Sequence, residues 1–177
     1  MKYSNELSKS MKFLSKNKNV IFLGQSVKFS GNAIFNTLKF ISPQKKIEMP
    51  VFEDVQMGMT LGLAINGFIP VSCFPRFDFL ILAMNQLVNH IDKFKIMTED
   101  KFKPRIIIRT SIGPKKPLDG GPQHTNDYTK EFRSMLTDVE VIYLNKSSTI
   151  FQKYKNALTS KSKRIFLFIE DGKYYNS

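Results

Sequence analysis

The sequence predicts an α/β domain, a parallel sheet with helices on both of its faces. Short apolar runs closed by turn residues alternate with helix-period segments along the chain. One run, residues 105–109, holds three consecutive isoleucines, the pattern of a central parallel strand. The third observation is size: 177 residues, 42% hydrophobic and 24% charged, make one ordinary domain with a real core.

In chain order, residues 4–16 carry Leu7, Met11 and Leu14 at helical spacing and predict an amphipathic helix. Residues 20–23 are a short apolar run ended by Gly24, which suits a buried strand. A polar stretch over 25–44 reads as a loop holding a short helix near 33–40. Residues 47–51 lead into a helix that begins at Glu53, and 69–74 form the next strand. The segment from 77 to 94 starts apolar all round and keeps one stripe through Met84, Leu87, Val88 and Ile91. It predicts a single helix buried on more than one side, hence one that meets another chain. After the isoleucine strand come a loop over 111–124, a helix over 129–136, a strand over 139–143, a helix over 147–158 and a last strand over 164–170.

Composition excludes several classes. The longest apolar run, 79–84, is far too short to cross a membrane. The N-terminus MKYSNELSKSMKFL lacks an apolar core of signal-peptide length, so the expected location is cytoplasmic. The single cysteine, Cys73, reads as a small core residue. Two histidines without metal-ligand spacing do not make a zinc site. The net charge of +12 is spread over single lysines rather than an arginine stripe or a nucleic-acid motif. It suits a solvated basic face or contact with an acidic partner subunit.

The stretch VFEDVQMGMTLGLAIN, residues 51–66, places Glu53 where a strand-like segment gives way to a helix. Gly58 and Gly62 follow at i,i+4, each costing about 1 kcal/mol relative to alanine inside a helix. Close approach of a backbone or a ligand along that face is the usual reason. A tightly packed core helix whose Glu53 suits the positive end of the dipole accounts for these residues as well. Glu53, the segment from Phe74 to Phe79 and the loop from Gly113 to His124 each follow a predicted strand. They therefore share the carboxyl edge of the sheet, where ligands of such folds bind.

The pattern Glu53, Gly58, Gly62, Ala64 resembles the cofactor helix of thiamine diphosphate enzymes. FPRFDFLILAMNQLVN (74–89), PRIIIRTSIG (104–113) and GPQHTND (121–127) follow in the order found in that family. Over residues 18–172 the chain looks most like the beta subunit of the 2-oxoacid dehydrogenases (pyruvate and branched-chain) and the matching domain of transketolase. The resemblance implies a thiamine diphosphate-binding fold of the pyrimidine-binding type.

It also implies roles for particular residues. Glu53 matches the carboxyl that bonds the far pyrimidine nitrogen and favours the tautomer that deprotonates the thiazolium ring. Phe79 stands where the family has the aromatic face for the aminopyrimidine, with Phe77 a rival for the role. Val51 and Pro75 match pocket-lining positions, although the family usually has Met or Gln in place of Pro75. His124 matches the active-site histidine, which steadies or protonates the oxyanion of a 2-oxoacid. Thr125 and Asn126 replace the family's Ser and Gln after it. His90, on the buried-looking helix, reads as structural.

The Gly-Asp-Gly motif that holds magnesium and the diphosphate in the family's other half is absent from this sequence. The expectation is a single pyrimidine-binding domain over 1–177, with no diphosphate-binding domain and no C-terminal transketolase-type domain. Such a chain is one subunit of a split thiamine diphosphate enzyme acting on a 2-oxoacid or ketose. A separate alpha-type subunit then holds the Mg2+ and the diphosphate, in a homodimer or heterotetramer. A non-catalytic binding or regulatory module that keeps the fold is the alternative.

Overall fold

The computed structural model describes residues 2–116, 118–162 and 164–175. Ser177, the last residue of the expected domain, lies outside them. Six parallel strands form one sheet: β1 (Val20–Gly24), β2 (Lys46–Glu48), β3 (Ile69–Phe74), β4 (Ile106–Ile112), β5 (Glu140–Leu144) and β6 (Ile165–Asp171). Their spatial order is β2-β1-β3-β4-β6-β5. The register sets Phe22 opposite Val71, Val71 opposite Ile107 and Ile107 opposite Phe166.

Side chains of a strand alternate between faces, and each face has its own core. On one face α1 (Tyr3–Ser15), α2 (Ala33–Leu38) and α7 (Ser147–Thr159) cover Phe22, Val71, Ile107, Phe166 and Phe168. On the other, α3 (Glu53–Ile65) and α6 (Thr129–Met135), with the segment that starts at α4 (Phe77–Leu80), cover Ile106, Ile108, Leu167 and Ile169. Ile106, Ile107 and Ile108 thus serve both cores, as three isoleucines in a central parallel strand predict. Cys73 is fully buried in the first core, and burial pushes its thiol up to about 11.

The single helix expected over 77–94 is a correction. The chain runs from α4 through a 3-10 turn (Ile81–Ala83) into a π-helical stretch (Asn85–Ile91), and then into a short α5 (Phe94–Met97). The number of residues per turn changes along the segment, and Phe77, Leu80, Ala83, Leu87 and Ile91 all lie in the core. Ile81 and Leu82 face outward, Leu82 at 64% exposure.

Two buried polar clusters tie the layers together. In the first core Arg109 Nε bonds Glu170 Oε1 at 2.7 Å with both side chains fully buried, and Arg109 Nη2 donates to Thr37 of α2 at 3.1 Å. Tyr154 of α7 donates to Glu170 at 3.1 Å, and Tyr175 donates to its other oxygen. At the end of the π segment, Asp92 accepts the backbone N–H groups of Thr137, Asp138 and Val139 at 2.8, 2.8 and 3.1 Å. Lys93 Nζ pairs with it at 2.7 Å.

Burial pushes the Asp92 carboxyl up, but the bonds from Lys93, Val139, Asp138 and Thr137 outweigh burial and bring it down to about 2. A depressed carboxylate stabilises the fold above its unfolded value and stops doing so as pH falls through its folded value. A shift from 3.8 to about 2 corresponds to about 2 kcal/mol. Urea unfolding should show that much stability lost between about pH 4 and pH 2 in the wild type, and Asp92→Asn should remove this step from the pH profile.

Candidate active site

The carboxyl edge is organised from its first strand. Gly24 ends β1 with φ +149°, and a Cβ there would lie 2.2 Å from the Cys73 carbonyl of β3, so only glycine fits. Ser26 is left-handed at φ +53°. This turn lets the backbone N–H groups of Ser26, Val27 and Lys28 converge on the Glu48 carboxylate at the end of β2, the last two at 3.0 and 2.7 Å. The clamped loop carries Gln25, whose Nε2 donates to Glu53 Oε1 at 2.8 Å.

Glu53 is the first residue of α3 and is 4% exposed. It is a buried carboxylate at a helix N-terminus, where the dipole favours negative charge. Val51, two residues earlier, is 80% exposed. Phe52, Val55 and Met59 continue an exposed apolar surface along α3, beside Ile81 and Leu82. Close approach along the Gly58–Gly62 face is not made among the described residues. A Cβ on Gly58 would meet only the Gln86 side chain, at 3.8 Å, and one on Gly62 would meet nothing within 4 Å.

The turn after β3 supplies the second group. Phe77 is fully buried, with its ring 4.8 Å from Phe132 and 5.6 Å from Tyr128, and so belongs to the core. Phe79 is half-buried, and its ring meets that of His124 edge-on, with centroids 5.5 Å apart and planes at 80°. Pro75 contributes its carbonyl, which accepts from Arg76 Nη1 at 2.8 Å and from Ser111 Oγ at 2.7 Å.

His124 stands on the loop after β4, which runs on to Ile112 rather than ending at Arg109. Gly113 N donates to the His124 carbonyl at 2.9 Å, and His124 N donates to the Gly121 carbonyl at 3.1 Å. Nδ1 of His124 is buried without a hydrogen bond. Asn126 donates to Asp78 of α4 and to the Pro122 carbonyl, which ties the loop to the Phe79 helix. Burial and the neighbouring Asp78 push the Tyr128 hydroxyl up.

Of the residues singled out from sequence, Phe79 and His124 are in contact, and Glu53, Val51 and Pro75 lie on the same sheet edge. Sequence reasoning passed over Gln25, Glu48, Arg76 and Ser111. All four lie at or just beyond the carboxyl end of a strand, so the strand-end rule applied to every strand would have found them.

The glycines of the His124 loop act through space. A Cβ on Gly113 would stand 2.2 Å from the His124 carbonyl oxygen, a backbone atom that cannot swing aside. Gly113→Ala should therefore cost about 1–3 kcal/mol in denaturant unfolding and displace the His124 ring signals in NMR spectra.

No protein-family model matches the sequence. Among curated proteins, the pyruvate dehydrogenase E1 component subunit beta of Cyanidium caldarium is 22% identical over 176 residues, covering 92% of this chain and 53% of that protein. The same subunit of Gracilaria tenuistipitata var. liui is 26% identical over 125 residues, covering 69% of this chain and 38% of that protein. The 3-methyl-2-oxobutanoate dehydrogenase subunit beta of Mycobacterium tuberculosis is 23% identical over 123 residues, covering 67% and 34%. The chain thus spans about half the length of the curated relatives it matches, or less. A solved structure, "Split gene transketolase, inactive beta4 tetramer", superposes with a TM-score of 0.56 at 17% identity, over 95% of this chain and 48% of that one. The chain resembles the pyrimidine-binding domain of thiamine diphosphate enzymes, in the form seen in pyruvate dehydrogenase E1 beta subunits and their transketolase-like relatives.

Proposed function

We propose that the chain is the pyrimidine-binding subunit of a split thiamine diphosphate-dependent enzyme that acts on a 2-oxoacid or ketose, complete only with a separate diphosphate-binding subunit. The observation that carries this reading is Glu53, a buried carboxylate at the first turn of α3 on the carboxyl edge, with one oxygen already held by Gln25. That arrangement fits a group with a protonatable ring nitrogen. When bound, thiamine diphosphate supplies a nucleophilic carbon for attack on a substrate carbonyl. Glu53 would hold and share the proton at the pyrimidine nitrogen. Phe79, half-buried and fixed by its edge contact with His124, would pack on the pyrimidine face, with Val51 and Pro75 lining the pocket. His124 would face the substrate and steady negative charge on its oxygen.

The diphosphate and Mg2+ belong, in this reading, to the partner subunit. The exposed apolar surface of α3 and the Ile81–Leu82 turn flanks Glu53 and supports a subunit contact there. The open face at Gly62 supports the same contact.

Two measurements test the proposal. In the reconstituted enzyme, Glu53→Gln should slow deuterium exchange at the reactive thiazolium carbon of bound cofactor, read by NMR. His124→Ala should leave exchange nearly intact and lower turnover by roughly 10²–10³. Exchange at the wild-type rate in Glu53→Gln with cofactor fully bound would overturn the role of Glu53 and favour the non-catalytic module. Calorimetry with the purified chain alone should show weak cofactor binding, and tight binding would contradict the need for a partner.

Gly62→Ala should raise the stability of the isolated chain by up to about 1 kcal/mol, because the helix gains and no neighbour is struck. The same change should weaken assembly with the partner, measured by analytical ultracentrifugation.

A further inference from the structure

Arg76 carries the charge on the carboxyl edge that the reading above leaves unused. Its guanidinium is fixed: Nη1 donates to the Pro75 carbonyl at 2.8 Å and to Ser111 Oγ at 3.3 Å, and that hydroxyl donates to the same carbonyl. Its Nε is buried and makes no hydrogen bond. Among the described residues no carboxylate lies within ion-pair distance of it, whereas the fully buried Arg109 has Glu170 at 2.7 Å. Asp78, two residues on, accepts from Asn126 through Oδ1 and neighbours Tyr128, and its buried Oδ2 makes neither a hydrogen bond nor an ion pair with Arg76.

The place of Arg76 matters as much as its charge. A Cβ on Gly113 would stand 3.2 Å from Arg76 Nε and 2.2 Å from the His124 carbonyl, so Arg76 and the His124 backbone pack on the same glycine. His124 in turn meets Phe79. A part-buried cation held in one geometry without a counter-charge is costly, and it is the arrangement that an oxyanion completes. Lys115 and Lys116, exposed on the loop after Gly113, add positive field at the same edge.

We propose that Arg76 receives an oxyanion, carboxylate or phosphate, carried by the substrate, and so restricts this site to anionic carbonyl compounds. The proposal rests on the reading of this edge as the substrate side of the site. Ser111 and the Pro75 carbonyl are positioning groups that hold the guanidinium ready, which lowers the ordering cost of binding.

The test is an NMR titration of the 15N-labelled full chain without cofactor, following the Arg76 Nε–H and the His124 ring signals. The probes are sodium pyruvate, inorganic phosphate and, as a neutral control, hydroxyacetone. A saturable shift with at least one anion and none with hydroxyacetone is expected. The tighter of the two anions assigns the group as carboxylate or phosphate. Arg76→Gln should weaken that binding by roughly tenfold or more, Arg76→Lys should restore part of it, and Ser111→Ala should cost a few-fold. Lys103→Gln, an equal charge change at a distant site, should have no effect. The absence of a saturable shift, an Arg76→Gln variant that binds like wild type, or an equal loss in Lys103→Gln would each overturn the proposal. Glu53 and the cofactor take no part in this titration, so its failure and a failure of the thiamine reading are read separately.

Discussion

Arg109 and Glu170 meet diagonally across the neighbouring strands β4 and β6 at the centre of the sheet, sealed from water. Two charges in such a place are tolerable only when paired and hydrogen-bonded. That requirement gathers Thr37 from α2, Tyr154 from α7 and Tyr175 from the chain beyond β6 around one carboxylate. Three elements on one face of the sheet are thereby tied to β4 and β6. Burial pulls the Arg109 guanidinium down, and Glu170 pushes it well above its usual value, so the guanidinium stays charged. Well-packed apolar residues of equal volume often serve as well as such a pair, whereas removing one partner alone leaves an uncompensated buried charge.

The site inherits that rigidity at the same end of the sheet. Ser111, two residues after Arg109 on β4, anchors Arg76, and the strand then delivers Gly113 beneath His124. On the other side of β3 a second carboxylate does comparable work. Glu48 gathers three backbone N–H groups of the loop after β1 and thereby sets Gln25 against Glu53. Carboxylates near this edge are thus used in two ways: Glu48 is consumed in holding backbone, while Glu53 is held by a side chain and kept at the start of a helix.

The apolar surface beside Glu53 is the counterpart of this order. Helix α3 turns Met57, Thr60 and Ala64 inward and leaves Val55, Met59 and Ile65 exposed, with Gly58 and Gly62 between them. The glycines therefore meet no close neighbour among the described residues, and their helix-propensity cost is unrecovered there. The two cores are closed, yet the face next to Glu53 is apolar and exposed, which is what supports the proposed contact with a second subunit.

Local pattern carried most of the architecture. Strands β1, β3, β5 and β6, helices α1, α6 and α7, and the start of α3 fall within two residues of the bounds that apolar runs and helical periods predict. These elements follow from periodicity, which is a property of neighbouring residues. The position of Glu53 at the start of α3, after β2, was legible for the same reason. Other features depend on residues far apart in the chain. That β6 lies between β4 and β5 is decided by hydrogen bonding between strands that no local pattern encodes. The π segment at 85–91 was not legible either, because the spacing of Leu87 and Ile91 suits an ordinary helix and carries no sign of the change in pitch. The bond from Gln25 to Glu53, 28 residues on, and the bond from Asn126 to Asp78, 48 residues back, arise only when separate strand ends are brought to one edge. The sequence alone determined which residues could do chemistry; only the tertiary structure decided which of them are held, and by what.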